Sequence, residues 1–457
     1  MFFRIFPPSK LKVFVIFIII SIFSILLYEY TIHTGSKVNI KNVTCVDCNL
    51  IIISIDPLRV SNMSLYGYDK PTTPNIDRLS ERALVFTNAV SVSSWTLPSA
   101  MSMFTGVYPS NHKITNKYTI SEDKSEKLSN LNDISPDLLT MAQLFKEGGY
   151  KTGGFTGGAA LDKEFGFDKG FDVYDSKGEF GGFDLTIPDA LDWIEKNKGE
   201  KFFVYLQGYD THGQYFPVNG YDKRFLDFDY NGTLTGSKEE QKSLREEGIV
   251  RGQVYLTEDD GKFLVALYDE KIQEADKKVG DLLDKLKQMG IFDKTIILLT
   301  SNHGDEFYEH GRIDHGHSLY DELVKIPLLI LIPGMEKKDI IGSQVGNIDI
   351  FPTVLSMVGI DKEKYQNYKM DGISLLPLIQ NKQKGRDYFL ESDYRYASFL
   401  RGIRSIDGWK FIINIENGVK ELYDLKKDPY EKNNLYPSDK NAGKILEEEL
   451  QKFLKDG

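Results

Sequence analysis

Residues 295–317, TIILLTSNHGDEFYEHGRIDHGH, constrain this chain more than any other stretch. They open on an apolar run, Ile296, Ile297, Leu298 and Leu299, short enough for a buried strand. The run breaks into the polar turn Thr300-Ser301-Asn302-His303-Gly304. Four of the chain's seven histidines (His303, His310, His315, His317) lie in this stretch, beside Asp305, Glu306, Glu309 and Asp314. In an open α/β sheet, ligands gather at the carboxyl ends of the strands, so a buried strand that runs into metal-binding side chains predicts a catalytic or metal site. One histidine there would read as loop polarity. Four of them with four carboxylates read as chemistry.

Other stretches repeat the pattern. Residues 50–55 (LIIISI) predict a buried strand with Asp56 at its end, a candidate metal ligand or a helix cap. Residues 91–106 pass from a strand into a hydroxyl-rich turn and then a helix. Thr96 or Ser99 sits there either as the N-cap or where oriented N–H groups favour an oxyanion. Residues 202–206 (FFVYL) form a strand leading to Asp210, Thr211 and His212. Helices are expected over 141–149, 187–196, 268–289 and 349–358, and strands over 151–156 and 326–333. The 268–289 helix places Ile272, Ala275, Val279, Leu282, Leu283 and Leu286 on one face. Alternating strands and helices predict a largely parallel sheet covered on both faces. Residues 219–261 read as a charged surface insertion. From residue 384, short strands near 399–404 and 409–415 and a charged helix predict a small antiparallel subdomain.

A chain of 457 residues holds one large domain with an appendage, or two domains. A net charge of −11 with no long basic block excludes nucleic acid as the partner. Residues 13–28 are apolar apart from two serines and follow Arg4, Lys10 and Lys12. With no small-residue cleavage site after them, they predict an uncleaved signal anchor and a single-pass membrane protein whose remaining chain is extracytoplasmic. The expected division is a tail and anchor over 1–35, a stalk over 36–48, a catalytic domain over 49–383 and the C-terminal subdomain over 384–457. Cys45 and Cys48, the only cysteines, are a disulfide or incidental.

The ordered blocks IDPLR…YGYDKPTTPNIDRL, WTLPSAMSMFTGVYPSNH, GFTGG…FGFDKGFDVYD, TIILLTSNHGDEF, EHGRIDHGHSLYDELVKIPLLILIPG, IDIFPTVLSMVGI and ELYDLKKDPYEKNNL together resemble the sulfatase family of the alkaline phosphatase superfamily. The resemblance implies an α/β sandwich with a mostly parallel central sheet and a small C-terminal antiparallel subdomain. It places metal ligands on Asp56, Asn302 and His303. It places the nucleophile, also a ligand, on Thr96. It places His212 near the leaving group or an oxyanion, and His315 where members carry an anion-binding lysine or histidine. The implied cofactor is one divalent cation, Mn²⁺, Zn²⁺, Ca²⁺ or Mg²⁺, and the implied substrate is an anionic ester of a glycan or lipid head group.

Three departures shape the expected chemistry. The residue that sulfatases convert to formylglycine, a Cys or Ser followed by x-Pro-x-Arg, is here Thr96, with Ala100 in the arginine slot. Formylglycine is therefore not expected. A sulfated threonine lacks the elimination route of formylglycine hydrate, which shifts the expectation modestly toward phosphoryl esters and admits a phosphotransferase. The paired first aspartates of many members are reduced to Asp56-Pro57. Asn302 replaces the usual Asp, which weakens hold on Ca²⁺ or Mg²⁺, while His303 favours Zn²⁺ or Mn²⁺. The competing reading is a catalytically impaired protein that binds an anionic glycan or lipid in the old pocket.

Overall fold

The strand Asn49–Ile55 is buried at every position and lies inside the central sheet. Its two sets of alternate side chains meet different helices, because successive strand residues point to opposite faces. Ile51, Ile53 and Ile55 join Val204, Leu206, Ile297 and Leu299 in one core with Leu264, Leu267 and Leu282 of helix Glu258–Gln288. On the other face Tyr205 meets Phe104 edge-on at 4.7 Å, and Phe203 stacks on Phe145 at 4.6 Å. Those partners belong to helices Thr96–Thr105 and Met141–Glu147.

The computed structural model describes residues 43–120, 125–215, 224–381, 383–394 and 398–456. The sheet runs in the order Asp339–Ile341, Leu84–Val90, Lys325–Leu331, Thr295–Thr300, Asn49–Ile55, Phe202–Gly208, Lys151–Thr156 and Val173–Ser176, with Val345–Gly346 also pairing Leu84–Val90. Every pairing is parallel except the two made by Lys325–Leu331. That strand is antiparallel to both neighbours, so the strands ending at Asp56, at Gly208, before Ser301 and before Ser91 all deliver their carboxyl ends to one edge. The α/β architecture expected from the sequence is the one observed.

The four-stranded antiparallel sheet Tyr388–Tyr394, Ser398–Arg404, Trp409–Asn414 and Lys420–Asp424 is followed by helix Lys440–Asp456. It shares a core with the central sheet, where Leu390, Leu400, Ile412 and Tyr423 pack with Val90, Leu323 and Val324. Cys45 and Cys48 are joined as a disulfide.

Two expectations are corrected. Residues 219–261 are not wholly a surface insertion: helix Lys238–Arg251 lies within them, and the long helix starts at Glu258, ten residues before its apolar stripe becomes legible. Its start is fixed by a capping box between Thr257 and Asp260. Gly261 in its first turn masks the helical pattern, yet a Cβ there would lie 3.1 Å from the Phe307 carbonyl oxygen. The signal-anchored, single-pass, extracytoplasmic reading is also corrected. Among the described residues no helix is long and apolar enough to cross a membrane. The longest, Glu258–Gln288, has one apolar stripe opposite charged side chains, the pattern of a helix lying on a protein core. The apolar run at 13–28 lies outside the described residues.

Candidate active site

Asp56 leaves its strand fully buried, its N–H donating to the Gly208 carbonyl at 3.1 Å. Thr96 is the first residue of its helix, with Trp95 in extended conformation as the cap. Neither Thr96 nor Ser99 is the N-cap, and no side chain caps the helix, so its positive dipole end at Thr96 and Leu97 carries no side-chain acceptor. Ser99 is structural. Its hydroxyl donates to the Asn302 carbonyl at 2.7 Å and takes a bond from Asn347 Nδ2 at 3.1 Å, tying the helix to the turn that carries Asn302 and His303. That turn is fixed in place by Ser301 Oγ, which accepts from the Leu58 N–H at 3.0 Å and donates to the His303 carbonyl at 2.8 Å.

These ties bring Thr96 Oγ1 to 2.9 Å from Asp56 Oδ2 and 3.0 Å from His303 Nε2. The Gly304 carbonyl, 2.8 Å from His303 Nδ1, can only accept, so the ring proton sits on Nδ1. Burial, with His315 beside it, lowers the His303 pKa and keeps the ring neutral with Nε2 as a bare lone pair. Asp56 Oδ1 and both amide atoms of Asn302 are buried without a hydrogen-bond partner. An orphaned buried polar atom costs about 1–3 kcal/mol, and such a set of oxygens beside a bare imidazole nitrogen fits a divalent cation. Asp56, Thr96 and His303 are therefore brought together, with Asn302 next to His303 in the turn.

A second grouping shares His303. Ligand atoms of His303, Asp305 and His315 lie within 4.8 Å of one another and are able to hold a metal ion. In this arrangement, though, both Asp305 oxygens are already engaged, by His315 Nδ1 at 2.6 Å and by the Tyr215 hydroxyl at 2.6 Å.

His315 is a cation. Burial disfavours its charge, but Asp314 and Asp305, both against Nδ1, outweigh burial and push its pKa up to about 10. Asp314 also accepts from Arg245 at 2.9 Å; despite burial, His315 and Arg245 hold its carboxyl well below the usual range. His212 is driven the other way by burial and by the charge of His315, so it is neutral. Its ring lies 5.1 Å from that of His315 and 4.4 Å from that of Phe180. A cavity of about 400 Å³ opens here, lined by Thr96, His212, His315, Arg245, Phe180 and Tyr118 among others.

The other two clustered histidines do not reach this cavity. His317 bonds Glu306, and His310 stacks on Tyr320 at 3.7 Å and faces Glu322. Asp210 is structural too, accepting from the Phe183 N–H at 2.8 Å and pairing with Lys278 at 2.9 Å. Arg245 and Phe180 were not legible. Arg245 sits in a segment read as an insertion, and Phe180 in a stretch, 176–186, for which the sequence predicts no element or role.

Comparison with known proteins matches the family model described as Sulfatase to residues 48–360. The chain belongs to the sulfatase family. A second model, described as N-sulphoglucosamine sulphohydrolase, C-terminal, matches residues 308–456. Among relatives, a Sulfatase of Formosa agariphila is 24% identical, covering 84% of this chain and 82% of that protein. An N-acetylglucosamine-6-O-sulfatase of Bacteroides thetaiotaomicron is 24% identical over 89% of this chain and 87% of that one. Two solved structures share the fold. One, in complex with its substrate D-glucosamine-2-N,6-O-disulfate, has a TM-score of 0.67 at 21% identity, covering 90% of this chain and 97% of that one. The other, a phosphonate monoester hydrolase of Agrobacterium radiobacter, has a TM-score of 0.68 at 18% identity, covering 89% and 95%. The chain is thus a sulfatase-family hydrolase of sulfate esters, and the reading of a purely binding protein is not favoured.

Proposed function

We propose that this sulfatase-family member is a metal-dependent ester hydrolase in which an unmodified Thr96 is the nucleophile. The observation that carries the proposal is one hydroxyl shared by two acceptors, Asp56 Oδ2 and His303 Nε2, at the open end of a helix. Asp56, Asn302, His303 and Thr96 are the residues proposed to hold the cation, chosen over the group containing Asp305 because Asp56 Oδ1 and the Asn302 amide oxygen are unspent, whereas both Asp305 oxygens are engaged. When bound, a divalent cation lowers the pKa of a hydroxyl and neutralises charge on the transferred group. Thr96 Oγ1 loses its proton to solvent and attacks the sulfur or phosphorus, and the bond to the substrate's alcohol breaks as the departing oxygen takes up a proton in return. Water then attacks the esterified Thr96, restoring its hydroxyl and releasing the inorganic anion.

Asp314 and Asp305 favour the cationic form of His315, so its proposed role is to bind a non-bridging oxygen. His212, neutral, offers one N–H to the leaving oxygen. Without formylglycine, release from Thr96 requires attack by water at the central atom, so phosphoryl esters are the proposed preference within the site and sulfate esters the slower class. The test is turnover of matched aryl sulfate, phosphate monoester and phosphate diester with Mn²⁺, in the native chain and in Thr96→Ala. Loss of at least a hundredfold in Thr96→Ala is expected for every ester that turns over. Unchanged turnover in that variant refutes the nucleophile.

A further inference from the structure

Phe180 is held in a conformation that an aromatic residue rarely adopts. Its φ is 69°, in the left-handed region. The surrounding chain pins it there. Lys177 N–H donates to the Thr156 carbonyl and Gly181 N–H to the Gly157 carbonyl, both at 2.9 Å, while Tyr209 N–H donates to the Gly181 carbonyl at 3.0 Å. An isolated bridge joins Gly158 and Glu179. The approach is so close that a Cβ on Gly157 would lie 2.0 Å from the Gly181 carbonyl oxygen. Glycines thus press this segment onto the strand ends, and the result is a half-buried phenyl ring at the cavity wall. A backbone outlier clamped beside an active site points to function.

The ring covers His212 at 4.4 Å and meets Tyr209 edge-on at 5.3 Å. Trp95 and Tyr118 line the same cavity, while Thr96, His315 and Arg245 supply its polar side. At about 400 Å³ it falls within the ~300–1,000 Å³ range of small-molecule sites. Aromatic rings sharing a cavity with His315 and Arg245, and with Asn116 and Glu126 also in its lining, suit a ring with a flat C–H or π face that bears hydroxyls and an anionic ester on its edge. An open-chain alcohol has no such face.

We propose that Phe180 is a specificity-determining platform on which the alcohol part of the substrate lies flat, so that the chain selects esters borne on a pyranose or aryl ring over those of open-chain head groups. The proposal rests on the reading that Thr96 marks where the ester group binds. Phe180→Leu keeps an apolar cover over His212 but removes the flat face; Phe180→Tyr keeps the face.

The test compares KM for glucosamine 6-sulfate and phenyl phosphate with KM for ethyl sulfate and ethyl phosphate, using the full chain. Phe180→Leu is expected to raise the ring-ester KM about tenfold relative to the open-chain esters, with Phe180→Tyr returning that ratio to within twofold of native. Calorimetric affinities for the same four ligands give the ratio independently of turnover, so activity surviving in Thr96→Ala removes the nucleophile reading while the Phe180 ratio is still measured. Ring and open-chain ligands shifting together in Phe180→Leu, no shift at all, or a native chain without ring preference would each overturn the platform.

Discussion

Thr96 has one proton and two acceptors, and that imbalance is resolved only when the proton leaves or a cation takes the lone pairs. Asn302 bears on the second outcome. Its amide oxygen is a neutral donor, so Asn302→Asp adds a full negative charge to the proposed cation site. The variant is expected to lower the apparent Kd for Mn²⁺ or Ca²⁺ about tenfold, measured by calorimetry, and Asn302→Ala to raise it. Equal affinity in all three proteins would place the ion elsewhere, with the group containing Asp305 the next choice.

His112 supplies a pH prediction away from the proposed ligands. It packs under the Thr96 helix, its Nδ1 accepting from the Ile114 N–H at 3.0 Å and its Nε2 meeting Ser102 Oγ at 3.0 Å. Burial pushes its pKa down to about 3. The unfolded chain binds this proton near pH 6.5 and the folded chain does not until about pH 3, so stability is complete above pH 6.5 and is lost as pH falls between those values. At pH 5 the loss is about 2 kcal/mol, taking ~1.4 kcal/mol per pH unit. In urea titrations at pH 7.5 and pH 5, His112→Gln is expected to lose correspondingly less stability on acidification than the native chain. An identical pH dependence would assign the acid sensitivity to other groups.

Among the elements, the loop bearing His315 and His317 is held from behind by the C-terminal sheet. Ser392 Oγ donates to the Gly316 carbonyl at 2.9 Å and lies 3.0 Å from Ser94 Oγ, two residues before Thr96. One buried hydroxyl therefore connects the turn before Thr96 to the loop that carries His315. Ser392→Ala is expected to cost about 1 kcal/mol of stability and to lower kcat severalfold. Ser392→Thr, which retains the hydroxyl, should recover most of both. A kcat unchanged in Ser392→Ala would show that the loop positions itself.

The sequence exposed what depends on local pattern. Asp56, Thr96 and His303 stand directly after strands or at a helix start, so an apolar run followed by a polar turn marks them. Ser392, Arg245 and Phe180 reach the same region through contacts distant in sequence, which periodicity does not encode. His310 and His317 were misleading for the converse reason. Their neighbours in sequence suggested a shared site, but Glu322 and Glu306 engage them outside the cavity. The start of the long helix was hidden by Gly261, whose reason is a close approach to Phe307.

At the scale of the whole molecule, a buried ionic junction joins the C-terminal sheet to the catalytic core. Lys410 is fully buried, with its ammonium 2.6 Å from Asp321, 2.8 Å from Glu431 and 3.0 Å from the Leu319 carbonyl. Although burial opposes it, Arg404 and Lys410 hold the Asp321 carboxyl far below its usual range, while burial pushes Glu431 up to about 7. Lys410→Met removes one cation and leaves buried acid behind, a change expected to cost about 3–5 kcal/mol and to be read as a lowered melting temperature. Melting within a degree of native would mean that the junction repacks.

The central claim is that Thr96 carries the reaction covalently. The most direct measurement is rapid acid quenching during turnover of an aryl phosphate and an aryl sulfate, followed by peptide mass spectrometry across residues 91–106. The account predicts unmodified threonine at position 96 in the resting chain and a phosphorylated or sulfated Thr96 in the quenched one, absent from Thr96→Ala. Turnover without any modification of that peptide, or an ester found on another residue, would contradict it.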